Sequence, residues 1–205
     1  NKKTQLLQTL FAKLLIKIFI NRKLKEIFGG NIKALVSGGA ALNPAVGIFF
    51  NKVGLKLLQG YGQTEAAPLI SCNFKNSNEP RTVGFPVKNV KIKKLNDGEI
   101  MVKGDNVMLG YWNNKKLTNQ TLKNGWLYTG DQGFFDKSGR LLINGRKKDI
   151  IVTSGGENIS VQKIESVLTT QVEISQAVVF GDNRPFLIAL IVLDNDNHTN
   201  NLNNV

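Results

Sequence analysis

The sequence predicts an α/β protein: a parallel sheet with helices, then a small antiparallel β unit, then an α+β unit. Three observations predict it. Strand-like and helix-like runs alternate between Ile32 and Leu58. Apolar and polar residues partly alternate from Thr82 to Val107 around an Asn96-Asp97-Gly98 turn. Beyond Gly145, short apolar runs flank one helical stretch. A chain of 205 residues, 41% hydrophobic and with 20 glycines, is long enough to bury a core and has ordinary globular composition.

Taken in order, residues 4–26 read as an amphipathic helix, with segment 1–28 as a helical entry to the fold. Leu6, Leu7, Leu10, Phe11, Leu14, Leu15, Ile18 and Phe19 make one stripe with lysines around it. Such a helix packs on a core or lies on an anionic membrane surface, and the core reading is preferred. Gly29-Gly30 ends it. Ile32 to Ser37 is a buried strand entering a Gly38-Gly39 turn. Asn43 caps a helix that has Pro44 in its first position. Leu55 to Leu58 is the next strand, running into a loop at Tyr61.

Residues 82–144 form the antiparallel unit, with a second hairpin turning at Asp136 to Arg140. Ile150 to Thr153 is a strand, Ser154 to Asn158 a glycine loop, and Ser160 the cap of a helix to Thr169. Ala177 to Phe180 and Phe186 to Leu193 are strands, and the Asn-rich stretch after Asp194 has no pattern.

Composition removes several function classes. No run of about 18 apolar residues is free of charge, so no transmembrane helix is expected. The single Cys72 permits no internal disulfide and suits a reducing, cytoplasmic setting. The one histidine, His198, argues against a Ser-His-Asp triad or a His-rich metal site. The net charge of +12 raises nucleic-acid binding. It comes from 22 Lys and 5 Arg spread along the chain with no interleaved aromatic stripe, so no nucleic-acid partner is expected.

Two glycine-rich signatures carry chemistry. The first is Gln59-Gly60-Tyr61-Gly62-Gln63-Thr64-Glu65. The second is Gly125-Trp126-Leu127-Tyr128-Thr129-Gly130-Asp131, continuing into Gly145-Arg146-Lys147-Lys148-Asp149-Ile150-Ile151-Val152. Glycines let a backbone pass close to a ligand, and a tyrosine between them offers a ring to a purine or simply packs beside a turn. Thr64 offers a hydroxyl, and Glu65 a hard oxygen that suits Mg²⁺. Asp131 offers a carboxylate to a vicinal diol, or caps a turn.

Together these motifs resemble the adenylate-forming ligases, most closely the long-chain fatty-acid–CoA ligases. The resemblance spans residues 24–193. It implies the later part of the large AMP-binding domain over residues 1–147 and the beginning of a truncated small C-terminal domain over 148–205. It implies ATP with Mg²⁺, a fatty acid and CoA as reactants. It assigns Gly38, Gly39 and Ala40 to the adenine wall, Tyr61 and Gly62 to the purine, and Asp131 and Arg146 to the ribose. Thr64 contacts phosphate and serves the adenylation step with Glu65, which takes the metal. Lys148 is the hinge, and Gly155, Gly156 and Glu157 face the CoA channel. Glu165, Tyr111, Trp112 and Cys72 are read as packing groups, and Lys147-Lys148 as a solvated basic pair.

The family's Pro-Lys-Gly phosphate loop and catalytic lysine have no match in these residues. They are expected before residue 1 and after residue 205. The resulting expectation is a piece of a long-chain acyl-CoA synthetase that works with a missing N-terminal portion. The alternative is a remnant or split-gene subunit that at most binds adenine nucleotide weakly. Location is expected to be cytoplasmic, with peripheral contact at the inner membrane face as the variant that a fatty-acyl substrate suggests.

Overall fold

In the computed structural model the described residues are 18–194. Helix α1 (18–27) ends where expected: Gly29 and Gly30 adopt φ of 80° and 81°, and the Gly30 N–H donates to the Lys25 carbonyl at 2.7 Å. Residues 4–17 of the expected amphipathic helix, and the Asn-rich tail beyond Asp194, lie outside the described residues. No helix among the described residues is long and apolar enough to cross a membrane.

β1 (Leu35–Ser37), α2 (Pro44–Val53) and β2 (Leu57–Gly62) form the expected strand–helix–strand unit, with β1 and β2 parallel. The Asn43 side chain accepts from the Ala45 N–H at 2.9 Å, which satisfies one orphan donor of α2. One expectation needs correcting. Tyr61, expected in a loop, belongs with Gly62 to β2, because β3 (Leu69–Cys72) pairs antiparallel with them, Tyr61 opposite Ser71. With β4 (Phe85–Pro86) the order is β1-β2-β3-β4, so among the described residues parallel pairing is confined to β1 and β2.

The second sheet is antiparallel, as its alternating pattern predicts. β5 (Lys91–Lys94), β6 (Glu99–Lys103), β8 (Trp126–Phe135) and β7 (Leu122–Lys123) lie in that order, and β9 (Leu141–Arg146) pairs with β8. Gly98 turns the β5–β6 hairpin at φ 86°. α3 (Lys115–Thr121) has no apolar periodicity in the sequence, because Leu117 is its only apolar residue. Asn114 defines it by capping the Leu117 N–H at 3.0 Å. The core joins both sheets: Ile70, Ile100, Val102, Leu127 and Leu141 are fully buried. Each such side chain contributes about 1.5–3 kcal/mol of transfer free energy.

A hairpin of β10 (Ile150–Val152) and β11 (Asn158–Ser160) leads into α4 (Val161–Leu168). β12 (Ile174–Phe180) and β13 (Ile188–Leu193) pair antiparallel. Ser160 occupies the cap position of α4 but makes no capping hydrogen bond. Glu165 is structural: its Oε1 accepts from the Val179 N–H at 2.9 Å and ties α4 to β12. Every residue of β13 is exposed although all six are apolar. Trp112 is no packing group either, being 92% exposed.

Candidate functional site

The two glycine-rich signatures meet at the core, near the end of β2 and midway along β8. Tyr61 and Asp131, 70 residues apart, are both buried, and the Tyr61 hydroxyl donates to Asp131 Oδ2 at 2.6 Å. The β8–β9 register sets Arg146 opposite Asp131, with Arg146 Nε 3.7 Å from Oδ1. The Asp131 N–H donates to Thr129 Oγ1 at 3.1 Å, and that hydroxyl donates to the Ile100 carbonyl at 2.8 Å. Irregularities on both sides of β8, between Glu99 and Met101 and between Gln132 and Gly133, break the ladder beside Asp131. Such breaks re-aim a side chain.

Burial pushes the Asp131 carboxyl above the usual carboxylate range. The Tyr61 hydrogen bond and the Arg146 charge pull it back, while Asp149 and Glu99 push it further up. Burial, with the Asp131 charge added, raises the Tyr61 phenol far above its ordinary value. Tyr61 therefore stays a donor and Asp131 an acceptor with lone pairs to spare.

A cavity of about 430 Å³ opens beside this pair. Gly39 and Ala40 wall one side, the Gly60–Gly62 end of β2 the floor, and Asp131 with Arg146 another side. Lys163 and Ser166 bring α4 into its lining, with Ser160 at the cap position of that helix, a contribution that the sequence does not signal. A larger concavity of about 640 Å³ runs along α1 past Asn21, Lys25 and Gly54, and none of the site residues lines it. The glycines have separate reasons. Gly39 takes φ 86° in an open turn, whereas a Cβ on Gly62 would overlap the Pro68 carbonyl.

Six expected residues thus share one cavity: Gly39, Ala40, Tyr61, Gly62, Asp131 and Arg146. Gly38 stands one residue away, between β1 and Gly39. Thr64 and Glu65 sit in a 3₁₀ turn (Thr64–Ala66) just past β2 and do not line the cavity. Tyr111, read from sequence as packing, donates its hydroxyl to Glu65 Oε1 at 2.8 Å and leaves Oε2 open. The described residues hold no group of three or more His, Cys, Asp or Glu side chains fit for a resident metal. A single carboxylate oxygen is a hard ligand of the kind Mg²⁺ takes alongside waters and other oxygens.

Lys148 lies in the 3₁₀ turn Lys147–Asp149 that joins β9 to β10. Gly155, Gly156 and Glu157 form the exposed β10–β11 turn, where the Glu157 N–H donates to Thr153 Oγ1 at 3.2 Å. Neither group reaches the cavity. Lys147 is not simply solvated: its Nζ donates to Asp97 Oδ2 at 2.6 Å and Glu99 Oε2 at 3.2 Å.

Comparison with known proteins meets this geometry. The AMP-binding enzyme family matches residues 4–112, and the AMP-binding enzyme C-terminal domain matches residues 148–204. A long-chain-fatty-acid–CoA ligase of Mycobacterium bovis is 43% identical over 175 residues, covering 85% of this chain and 29% of that protein. One from Bacillus subtilis is 40% identical over 164 residues, covering 74% and 29%. Among solved structures, o-succinylbenzoate coenzyme A synthetase from Bacillus subtilis in complex with AMP aligns with a TM-score of 0.68 and 32% identity. That match covers 80% of this chain and 36% of that one. The chain spans about three-tenths of the length of the curated relatives it matches.

Proposed function

This chain belongs to the AMP-binding enzymes, and from that premise we propose that it holds the adenosine end of ATP in a long-chain fatty-acid–CoA ligase. The activity proposed is that of an AMP-forming acid–thiol ligase. A carboxylate oxygen of the fatty acid bonds to the α-phosphorus of ATP, and the bond to pyrophosphate breaks. The CoA sulfur then bonds to the acyl carbon, AMP leaves with the carboxyl-derived oxygen, and the thiol proton passes to water.

The residues divide the work. Tyr61, its hydroxyl fastened to Asp131, presents a fixed ring to the purine against the Gly39–Ala40 turn. Asp131 accepts from the ribose hydroxyls with the lone pairs that Tyr61 leaves, and the Arg146 charge, after the Tyr61 hydrogen bond, favours its ionised form against burial. Thr64 donates to a phosphate oxygen. Glu65, steadied by Tyr111, would hold the nucleotide's Mg²⁺ through Oε2. That ion, when bound, offsets charge on the phosphates. Lys148 serves as the pivot that later turns the Gly155–Glu157 loop toward the CoA arm.

The observation that carries this reading is the convergence of Tyr61, Asp131 and Arg146 on one cavity. Calorimetric titration with AMP tests it. The wild-type chain should bind, and Asp131→Ala should weaken binding at least about tenfold, the scale of a lost charge-assisted pair. Equal affinities would refute the site. In the complete ligase, Glu65→Gln should suppress acyl-CoA formation while AMP binding persists.

A further inference from the structure

The proposed pivot lies one residue beyond a side chain that is tied down. Lys147 Nζ reaches Asp97 Oδ2 at 2.6 Å and Glu99 Oε2 at 3.2 Å. Glu99 is buried, and its other oxygen, Oε1, accepts from the Gly130 N–H at 3.2 Å. Gly130 precedes Asp131, and Lys147 follows Arg146, which is the register partner of Asp131. One buried carboxylate therefore grips both strands, β8 and the end of β9, on the same side of the Asp131–Arg146 pair.

The local backbone needs such a grip. The β6–β8 register breaks between Glu99 and Met101, and the β8–β9 register breaks between Gln132 and Gly133. The ladder that would otherwise fix Asp131 is interrupted on both flanks. Glu99 supplies a side-chain acceptor in its place. Its negative charge is balanced by Lys147, which the same contacts hold above the usual lysine range. Asp97 in turn is held below the usual carboxylate range by the lysine. Both partners of the outer pair stay charged through neutral pH.

We propose that Glu99 and Lys147 are positioning residues, a charge clamp that fixes Asp131 and Arg146 and confines pivoting to the residues after Lys147. What is positioned rests on the nucleotide reading above; the clamp does not. Asp97 is its outer, exposed arm. Breaking the clamp frees the chain at Gly130 and at Arg146 together, although the two are distant in sequence.

Hydrogen–deuterium exchange on the full 205-residue chain, with AMP titration alongside, tests this. Glu99→Gln keeps an acceptor for the Gly130 N–H and removes the charge. Lys147→Met removes the ammonium and keeps the aliphatic stem. Each should speed exchange at Gly130–Asp131 and at Arg146–Asp149 by about three- to tenfold, and weaken AMP binding by a similar factor. Lys147→Arg should restore both, and NaCl at 1 M, where the Debye length is about 3 Å, should mimic the loss in the wild type. Amides of Ile100 and Val102 should not change, which separates a local clamp from general destabilisation. Wild-type exchange in Lys147→Met, or no rescue by Lys147→Arg, would overturn the clamp. A wild-type chain that binds no AMP would overturn the nucleotide reading and leave the exchange result to decide the clamp.

Discussion

Replacing Tyr61 by Phe deletes one oxygen and leaves the ring where it is. The bond removed is the 2.6 Å donation to Asp131 Oδ2 between two residues exposed by only 9% and 7%. A hydrogen bond to a charged, buried group is worth about 1.5–3 kcal/mol, and the carboxylate left behind is poorly compensated by an Arg146 Nε at 3.7 Å. The expected loss is about 2 kcal/mol, or roughly 4–8 °C in Tm for a chain of this size. Urea denaturation of Tyr61→Phe, Asp131→Ala and the double variant closes a double-mutant cycle. The coupling energy should be about 1.5–3 kcal/mol. A single variant within about 0.5 kcal/mol of wild type, or an additive cycle, would show that the bond is not formed in solution and that the site is not organised as described.

Acidification should weaken AMP binding, because a protonated Asp131 loses acceptor capacity. Its pKa is raised by burial, so the loss should begin above the ordinary carboxylate range, and Arg146→Gln should move it higher still; titrations from pH 8 to pH 5 measure both. The sign for folding is opposite. A raised native pKa means that stability from this group is present at low pH and lost as pH rises through the native value. Gly62→Ala should disrupt the β2–β3 pairing, since its Cβ meets the Pro68 carbonyl, and near-ultraviolet circular dichroism of the surrounding tyrosines reads that out. Leu127→Ala, in the core between the sheets, should cost about 2–5 kcal/mol in urea denaturation. Trp112→Ser, at a 92% exposed position, should stay within about 0.5 kcal/mol.

Local chemistry was legible in the sequence, and juxtaposition was not. Asn43-Pro44 announces α2, Asn96-Asp97-Gly98 announces a hairpin, and Gly29-Gly30 announces a helix end, because each acts within a few residues. Tyr61 was misplaced in a loop because its strand identity comes from Ser71 across the ladder. The Tyr61–Asp131 bond and the Lys147–Glu99 contact span 70 and 48 residues, and no spacing rule reports them. Tyr111 and Trp112, adjacent in sequence and read alike as packing, part company in the fold. One meets Glu65 and the other meets solvent. The contribution of α4 to the cavity was invisible because its helical pattern says nothing about which neighbour it faces.

Gly62 has an implication for how such chains are recognised. Its hydrogen side chain is demanded by the Pro68 backbone, whether or not a nucleotide ever arrives. A descendant that had lost the proposed nucleotide site would still be held to glycine there, because any side chain meets the Pro68 carbonyl. That letter of the signature is therefore a record of architecture. Tyr61, Asp131 and Arg146 are the letters whose decay would remove the proposed nucleotide site.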